Sequence, residues 1–194
     1  MPRGVMLVAL AALLTACSNR LYPPVPDQPV TLYLMDHGRH ASLILPHEDN
    51  GWVRYAHGEW RWYARLEQGY WRGAQALFWP TRATIGRQRL QQVPTRPGVH
   101  ATIPEGFRQR IELVAEAQRV RVLRERLDGH FAEPSQRVFQ PVFNLEFVPY
   151  PRSYWFGRNS NRTMADWLEA LGVRVSGPAL FSHWQPVTES GPGD

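Results

Sequence analysis

The chain has 194 residues, 22 basic against 17 acidic, a net charge of +5 and a single cysteine. One cysteine excludes an internal disulfide and a cysteine-built zinc site, and an aromatic share of 12%, with eight tryptophans, excludes a disordered chain. Every basic residue is arginine; genome composition accounts for that bias, while the positive balance points to anionic partners such as phospholipid headgroups, lipopolysaccharide or cell-wall polymers. No nucleic-acid-binding motif is present, so nucleic acid is not expected as a partner.

Arg3 opens a short positive segment, and Val5 to Leu14 is an apolar run too short to span a bilayer, the pattern of a removable signal peptide over residues 1–16. Leu14-Thr15-Ala16-Cys17 is similar to a bacterial lipobox. That resemblance implies cleavage before Cys17 and acylation of its thiol and new amino terminus. Several acyl chains together anchor firmly where one binds only marginally. Ser18 in place of Asp implies, by the same likeness, the outer membrane with the body facing the periplasm. Residues 17–28, with Pro23, Pro24 and Pro26, read as the lipidated cysteine and a tether.

Residues 29–184 read as one domain. Val30 to Met35, Ala41 to Leu45 and Trp52 to Ala56 read as strands, the last two joined by the polar turn His47 to Gly51. Arg61 to Phe78 mixes aromatic and apolar residues at helical spacing. Arg89 to Val93 and Val99 to Ile103 read as further strands. Pro104-Glu105 opens the clearest helical pattern, with Leu113, Ala117, Val120, Leu123 and Leu127 on one face to about Leu127. Val142 to Val148 is strand-like. Asn161 to Leu171 reads as a helix closed by Gly172. Residues 185–194 read as a flexible tail. Segregated strands and helices predict an α+β fold.

Three segments carry the candidate chemistry: Gly38 to Pro46 with His40, His57-Gly58-Glu59, and Asn159-Ser160-Asn161 at a helix start. A nucleophile at a helix N-terminus gains from the dipole and from backbone N–H groups able to hold an oxyanion. A histidine on a nearby strand can take its proton, and a third polar group can orient the ring. With the turn centred near residues 48 and 49, His57 falls roughly opposite His40, and Glu59 shares the face of His57, so either could orient His40. Asn159 or Ser160 could equally serve only as a helix cap. His37 and His40 are three apart and would face opposite sides of a strand, so no metal or other cofactor is expected. Trp52, Trp60, Trp62, Trp71 and Trp79 read as core.

Across about Val30 to Val173 the chain resembles a bacterial lipoprotein family known only as domain-of-unknown-function family 2459. The shared residues are His40 to Pro46, the Gly58-Glu59 step before Tyr63, and Asn159-Ser160-Asn161 before a helix ending Ala170-Leu171-Gly172. That order, histidine before nucleophile, is similar to circularly permuted papain-like proteins of the NlpC type, which cleave amides or transfer acyl groups with Cys and His. The resemblance implies a permuted papain-like antiparallel sheet packed on helices, with His40 as base, Ser160 at the nucleophile position, His57 or Glu59 orienting His40, and N–H groups near Asn159 and Asn161 at the oxyanion. Ser160 stands where the family carries Cys. A hydroxyl needs far more base assistance than a thiol, and a small misplacement can cost about 100-fold. Two expectations follow: a non-catalytic envelope lipoprotein that binds cell-wall peptide, glycan or lipid in a degenerate cleft, or a serine-variant amide or ester hydrolase or acyltransferase.

Overall fold

The computed structural model describes residues 18–67, 69, 78–95 and 102–187. The signal segment and Cys17 lie outside them, as do residues 70–77, 96–101 and 188–194. Among the described residues no helix is long and apolar enough to cross a membrane.

The fold is α+β. In chain order it contains β1 (Asn19–Tyr22), β2 (Pro29–Asp36), β3 (Ala41–Pro46), β4 (Trp52–Glu59), a π-helical turn (Trp60–Ala64), β5 (Thr81–Leu90) and β6 (Gln109–Glu116). Then come α1 (Ala117–Gly129), β7 (Val138–Gln140), β8 (Leu145–Tyr154), α2 (Ser160–Ala170), β9 (Arg174–Ser176) and β10 (Trp184–Pro186). Seven strands form an antiparallel sheet ordered β6-β2-β3-β4-β5-β8-β7, and β10-β1-β9 forms a second, smaller sheet.

Alternation along the strands sorts the two faces of the large sheet. Leu32 and Leu34, Leu43 and Leu45, Val53 and Tyr55, and Ile111 and Leu113 bury against Val120, Leu123 and Leu127 of α1 and Met164, Trp167 and Leu168 of α2. The intervening residues of β2 and β3 face the other way, where Met35 and Ile44 join Leu90, Ile103 and Phe107 in a separate cluster. A third cluster gathers Ala56, Trp60, Phe143 and Phe147.

The helical pattern expected from Pro104 resolves into two elements. Ile111, Leu113 and Ala115 alternate as a strand that pairs with β2 from Pro29↔Glu116 to Asp36↔Gln109. The helix starts only at Ala117, and Val120, Leu123 and Leu127 keep its period. Leu113 and Ala117 mislead because positions four apart share a face in both periodicities. Thr102 and Ile103 lie in a turn rather than the strand expected there. The strand expected at Arg89 to Val93 is the end of the longer β5, and Val93 lies past it. Phe143 and Asn144 form a turn before β8. β8 tolerates Pro151 because the register against β5 jumps from Ala83↔Tyr150 to Arg82↔Ser153, leaving Pro151 and Arg152 in a bulge.

Two expectations at the ends are corrected. The proposed tether contains β1, in which Asn19 and Leu21 are fully buried. It pairs antiparallel with β9 and parallel with β10, so the folded body includes residues from Ser18 onward. The tail expected from residue 185 begins inside β10, and the Val187 N–H donates to Leu21 O at 2.8 Å; residues 188–194 lie outside the described set.

Candidate functional site

One edge of the large sheet gathers the end of β2, the β2–β3 turn, the end of β4, the start of β5 and the end of β8. The α2 N-terminus joins this edge through Asn161, whose amide donates to Arg39 O at 3.2 Å and to Leu180 O at 3.3 Å. Arg39, next to His40, and Asn161, next to Ser160, thus meet at this edge; among the described residues no hydrogen bond joins the His40 and Ser160 side chains.

His40 ends a tight turn. The His37 N–H donates to His40 O at 3.0 Å, Gly38 takes φ +93°, and the Asp36 carboxylate accepts from the Gly38 N–H at 2.6 Å. The Ser182 hydroxyl lies 2.6 Å from Asp36 Oδ1 and 3.0 Å from His40 O, fastening the turn to the segment before β10. His37 and His40 are therefore turn residues and not opposite faces of a strand: their rings stack with centroids 4.7 Å apart.

The group facing His40 is Glu105, with His40 Nε2 3.9 Å from a carboxylate oxygen. Among the described residues no hydrogen bond, ion pair or ring contact joins His57 or Glu59 to His40. The cause is a one-residue slip in register. The hairpin pairs Ser42↔Ala56 and Leu43↔Tyr55, which continues to Ala41 opposite His57 and His40 opposite Gly58. A slip of one residue moves a side chain to the other face of a sheet. His57 consequently lies under α2, with Tyr150 at 5.1 Å, Tyr154 at 5.9 Å and Trp167 at 6.4 Å. Burial alone pulls its imidazole down to about 3. Glu59 caps the π-helical turn, accepting from the Trp62 N–H at 2.7 Å.

Behind His40 runs a buried polar network. Arg54, fully buried on β4, pairs with Glu105 and donates from Nε to Ser42 Oγ at 3.0 Å. It also donates to Gln88 Oε1 at 3.2 Å and Phe143 O at 3.3 Å. With its oxygen taken by Arg54, the Ser42 hydroxyl donates to His37 Nε2 at 2.9 Å, while His37 Nδ1–H donates to Gly106 O at 2.5 Å. This tautomer leaves His37 neutral, and burial, then the charge of Arg54, pulls it down to about 3. Burial opposes ionisation of Glu105, yet His40 and then the charge of Arg54 outweigh it and hold the carboxyl at about 2. His37, His40 and Glu105 offer ligand atoms within 4.8 Å of one another. A cation there would have to displace the Ser42–His37 bond and share Glu105 with a buried guanidinium.

Tyr63 closes this space. Its ring meets His40 edge-on at 5.6 Å, and it lies so close on Gly58 that a Cβ there would fall 2.3 Å from it. Burial, then the neighbouring Tyr154 and Glu105, keeps its phenol protonated far above the usual range.

Ser160 is buried in the first turn of α2, and the cap is its neighbour: Asn159 Oδ1 accepts from the Arg162 N–H at 2.9 Å. The Asn159 amide donates to Leu180 O at 3.0 Å. Both asparagines expected near an oxyanion are therefore holding loops to the helix end. Tyr154 sets its phenol beside the Ser160 hydroxyl and backbone N–H; burial pushes the phenol's pKa up, and those two donors pull against it. Asn159→Ala should cost about 1 kcal/mol in denaturant unfolding, the ordinary loss of a cap, while Ser160→Ala should stay within about 0.5 kcal/mol of the parent. Equal losses would mean that Ser160 shares the capping.

Sequence reasoning reached His40, Ser160, Asn159 and Asn161 but missed Glu105, Arg54 and Tyr154. The one local signal was Arg54, a charge between the apolar Val53 and Tyr55 of a strand. A cleft of about 530 Å³ between α1, β8 and α2 is lined by Arg126, His130, Arg152 and Asp166 among others, and includes neither His40 nor Ser160. No protein family, curated protein or solved structure matches the chain.

Proposed function

We propose that this protein is a lipid-anchored envelope protein of the outer membrane with a permuted papain-like fold, and that its degenerate Ser160/His40 site binds peptide, glycan or lipid without cleaving it. The observation that carries this reading is Tyr154. Its phenol lies beside Ser160, whose hydroxyl and N–H pull its burial-raised pKa back down, and a substrate carbonyl would have to compete with it for those donors. The base is also disconnected. His40 is turned toward Glu105, and a hydroxyl nucleophile without a hydrogen-bonded base is inert near neutrality. The papain-like part is supported by an antiparallel sheet whose histidine-bearing turn abuts the N-terminus of the helix carrying Ser160.

Tyr154 could be displaced by a substrate, and that motion is what the serine-variant hydrolase or acyltransferase requires. A fluorophosphonate probe separates the two. No labelling of the full chain at Ser160 is expected, with or without Tyr154→Phe. Labelling that disappears in Ser160→Ala overturns the binding reading and establishes a working serine.

A further inference from the structure

Cys17 is followed at once by buried structure. The Asn19 N–H donates to His183 O at 2.7 Å and its side-chain amide to Phe181 O at 2.7 Å. The chain therefore enters the folded body beside the segment Phe181–His183, with no spacer after the acylation position. That segment is tied to the α2 N-terminus, since Asn159 and Asn161 both donate to Leu180 O. The entry point lies on the same sheet edge as Ser160 and His40.

This edge carries large apolar side chains that the fold leaves uncovered. Phe181 is 55% exposed, and Trp155 and Phe156, at 42% and 44%, form a hairpin tip just before α2. The tip is built to project: the Arg158 N–H donates to Trp155 O at 2.9 Å, and the Trp155 ring lies over Gly157, where a Cβ would meet it at 2.6 Å. Phe78 and Trp79 precede β5, whose first residue Thr81 pairs with Tyr154, so they reach the same rim at 73% and 66% exposure. Arg39 and Arg158 are exposed among them. Exposed aromatics ringed by arginine are the chemistry of a protein surface that enters the headgroup layer.

We infer that this aromatic and arginine rim docks on the phospholipid surface that holds the anchor, so that the sheet edge carrying the α2 N-terminus and the β2–β3 turn faces the bilayer. The inference rests on the reading of Cys17 as acylated, and it adds to that reading a fixed orientation. The described chain starts at Ser18 on the edge that carries the rim, so acyl chains on the residue before it would hold the rim at the membrane. Interfacial aromatic side chains then sink about 5–10 Å toward the acyl boundary. Arginine guanidinium groups pair with lipid phosphates there.

The test uses the full chain, processed in cells and reconstituted into phosphatidylethanolamine–phosphatidylglycerol vesicles. Phe156→Cys and, as a remote control, Val142→Cys each place one reactive thiol on an exposed position for a polarity-sensitive fluorophore. The mass of the N-terminal peptide reports acylation. With acylated protein, nitroxide lipids should quench the label at 156 about threefold more than that at 142, and Phe181→Asp should reduce the difference. Equal quenching of the two labels on an acylated chain overturns the docking geometry while leaving the anchor intact. An unmodified Cys17 overturns the anchor and the docking with it.

Discussion

Glu105→Ala should destabilise the protein by about 3–5 kcal/mol, because it leaves a buried guanidinium without its counter-charge. Arg54 is fully buried and has no route to water. Its remaining partners, Ser42 Oγ, Gln88 Oε1 and Phe143 O, are neutral and do not balance a charge. The pair itself is worth less than the loss suggests, because taking both ions out of water costs several kcal/mol per ion. The double variant Arg54→Met with Glu105→Leu should therefore recover at least about half of the loss. Urea unfolding of the three proteins measures both. A loss below about 1 kcal/mol in Glu105→Ala would mean that the pair behaves as an exposed one.

Acid should unfold the protein steeply, through two histidines that the fold keeps neutral. His37 and His57 are both held at about 3 against an ordinary 6.5. Between those values the unfolded chain takes up protons that the folded chain refuses. Their contribution is whole above about pH 6.5 and drains away as the pH falls toward 3. Each contributes a slope of about 1.4 kcal/mol per pH unit within that window. Glu105, held at about 2 against 4.5, contributes in the same direction lower down: its stabilisation is present above 4.5 and lost as the pH falls through 2. His57 can be removed from this sum cleanly. Both its ring nitrogens are buried without a hydrogen-bond partner, so His57→Phe sacrifices no bond and sits among Tyr150, Tyr154 and Trp167. The proton uptake on unfolding near pH 5 should drop from about two to about one, and stability at neutral pH should hold or rise. An unchanged pH slope would show that His57 is not kept neutral by burial.

The polar network explains why this edge of the sheet is costly to keep. Arg54, Glu105, Ser42 and His37 occupy a face that apolar residues would fill more cheaply, and Glu105 Oε2 is buried without a partner. A fold that retains such groups beside His40 is holding that turn in one position. Gly58 contributes in the opposite sense, by having no side chain where Tyr63 must lie.

Much of the fold was legible locally. Apolar alternation located β2, β3 and β4, the β3–β4 turn and the end of α2 at Gly172, which takes φ +89°. Asn159 as a cap was likewise one of two local readings. These succeed because turn chemistry, capping and binary pattern act within a few residues. The readings that failed all turned on long-range pairing. A strand and a helix join at Glu116–Ala117 with apolar residues that suit both periods, and only pairing with β2 ends the strand there. A polar, proline-containing N-terminal stretch became β1 because β9 and β10, over 150 residues away, supply its partners.

The local sequence pattern was enough for the α+β class and for a helix expected from Asn161, which the structure starts one residue earlier at Ser160. Those follow from patterns whose range is a turn or two. Tertiary structure alone decided which groups meet. A register shift of one residue carried His57 to the opposite face and left Glu105, from a loop more than 60 residues further on, as the partner of His40. No local pattern encodes that shift, because the face a strand residue takes is set by its pairing across the sheet and not by its neighbours in the chain.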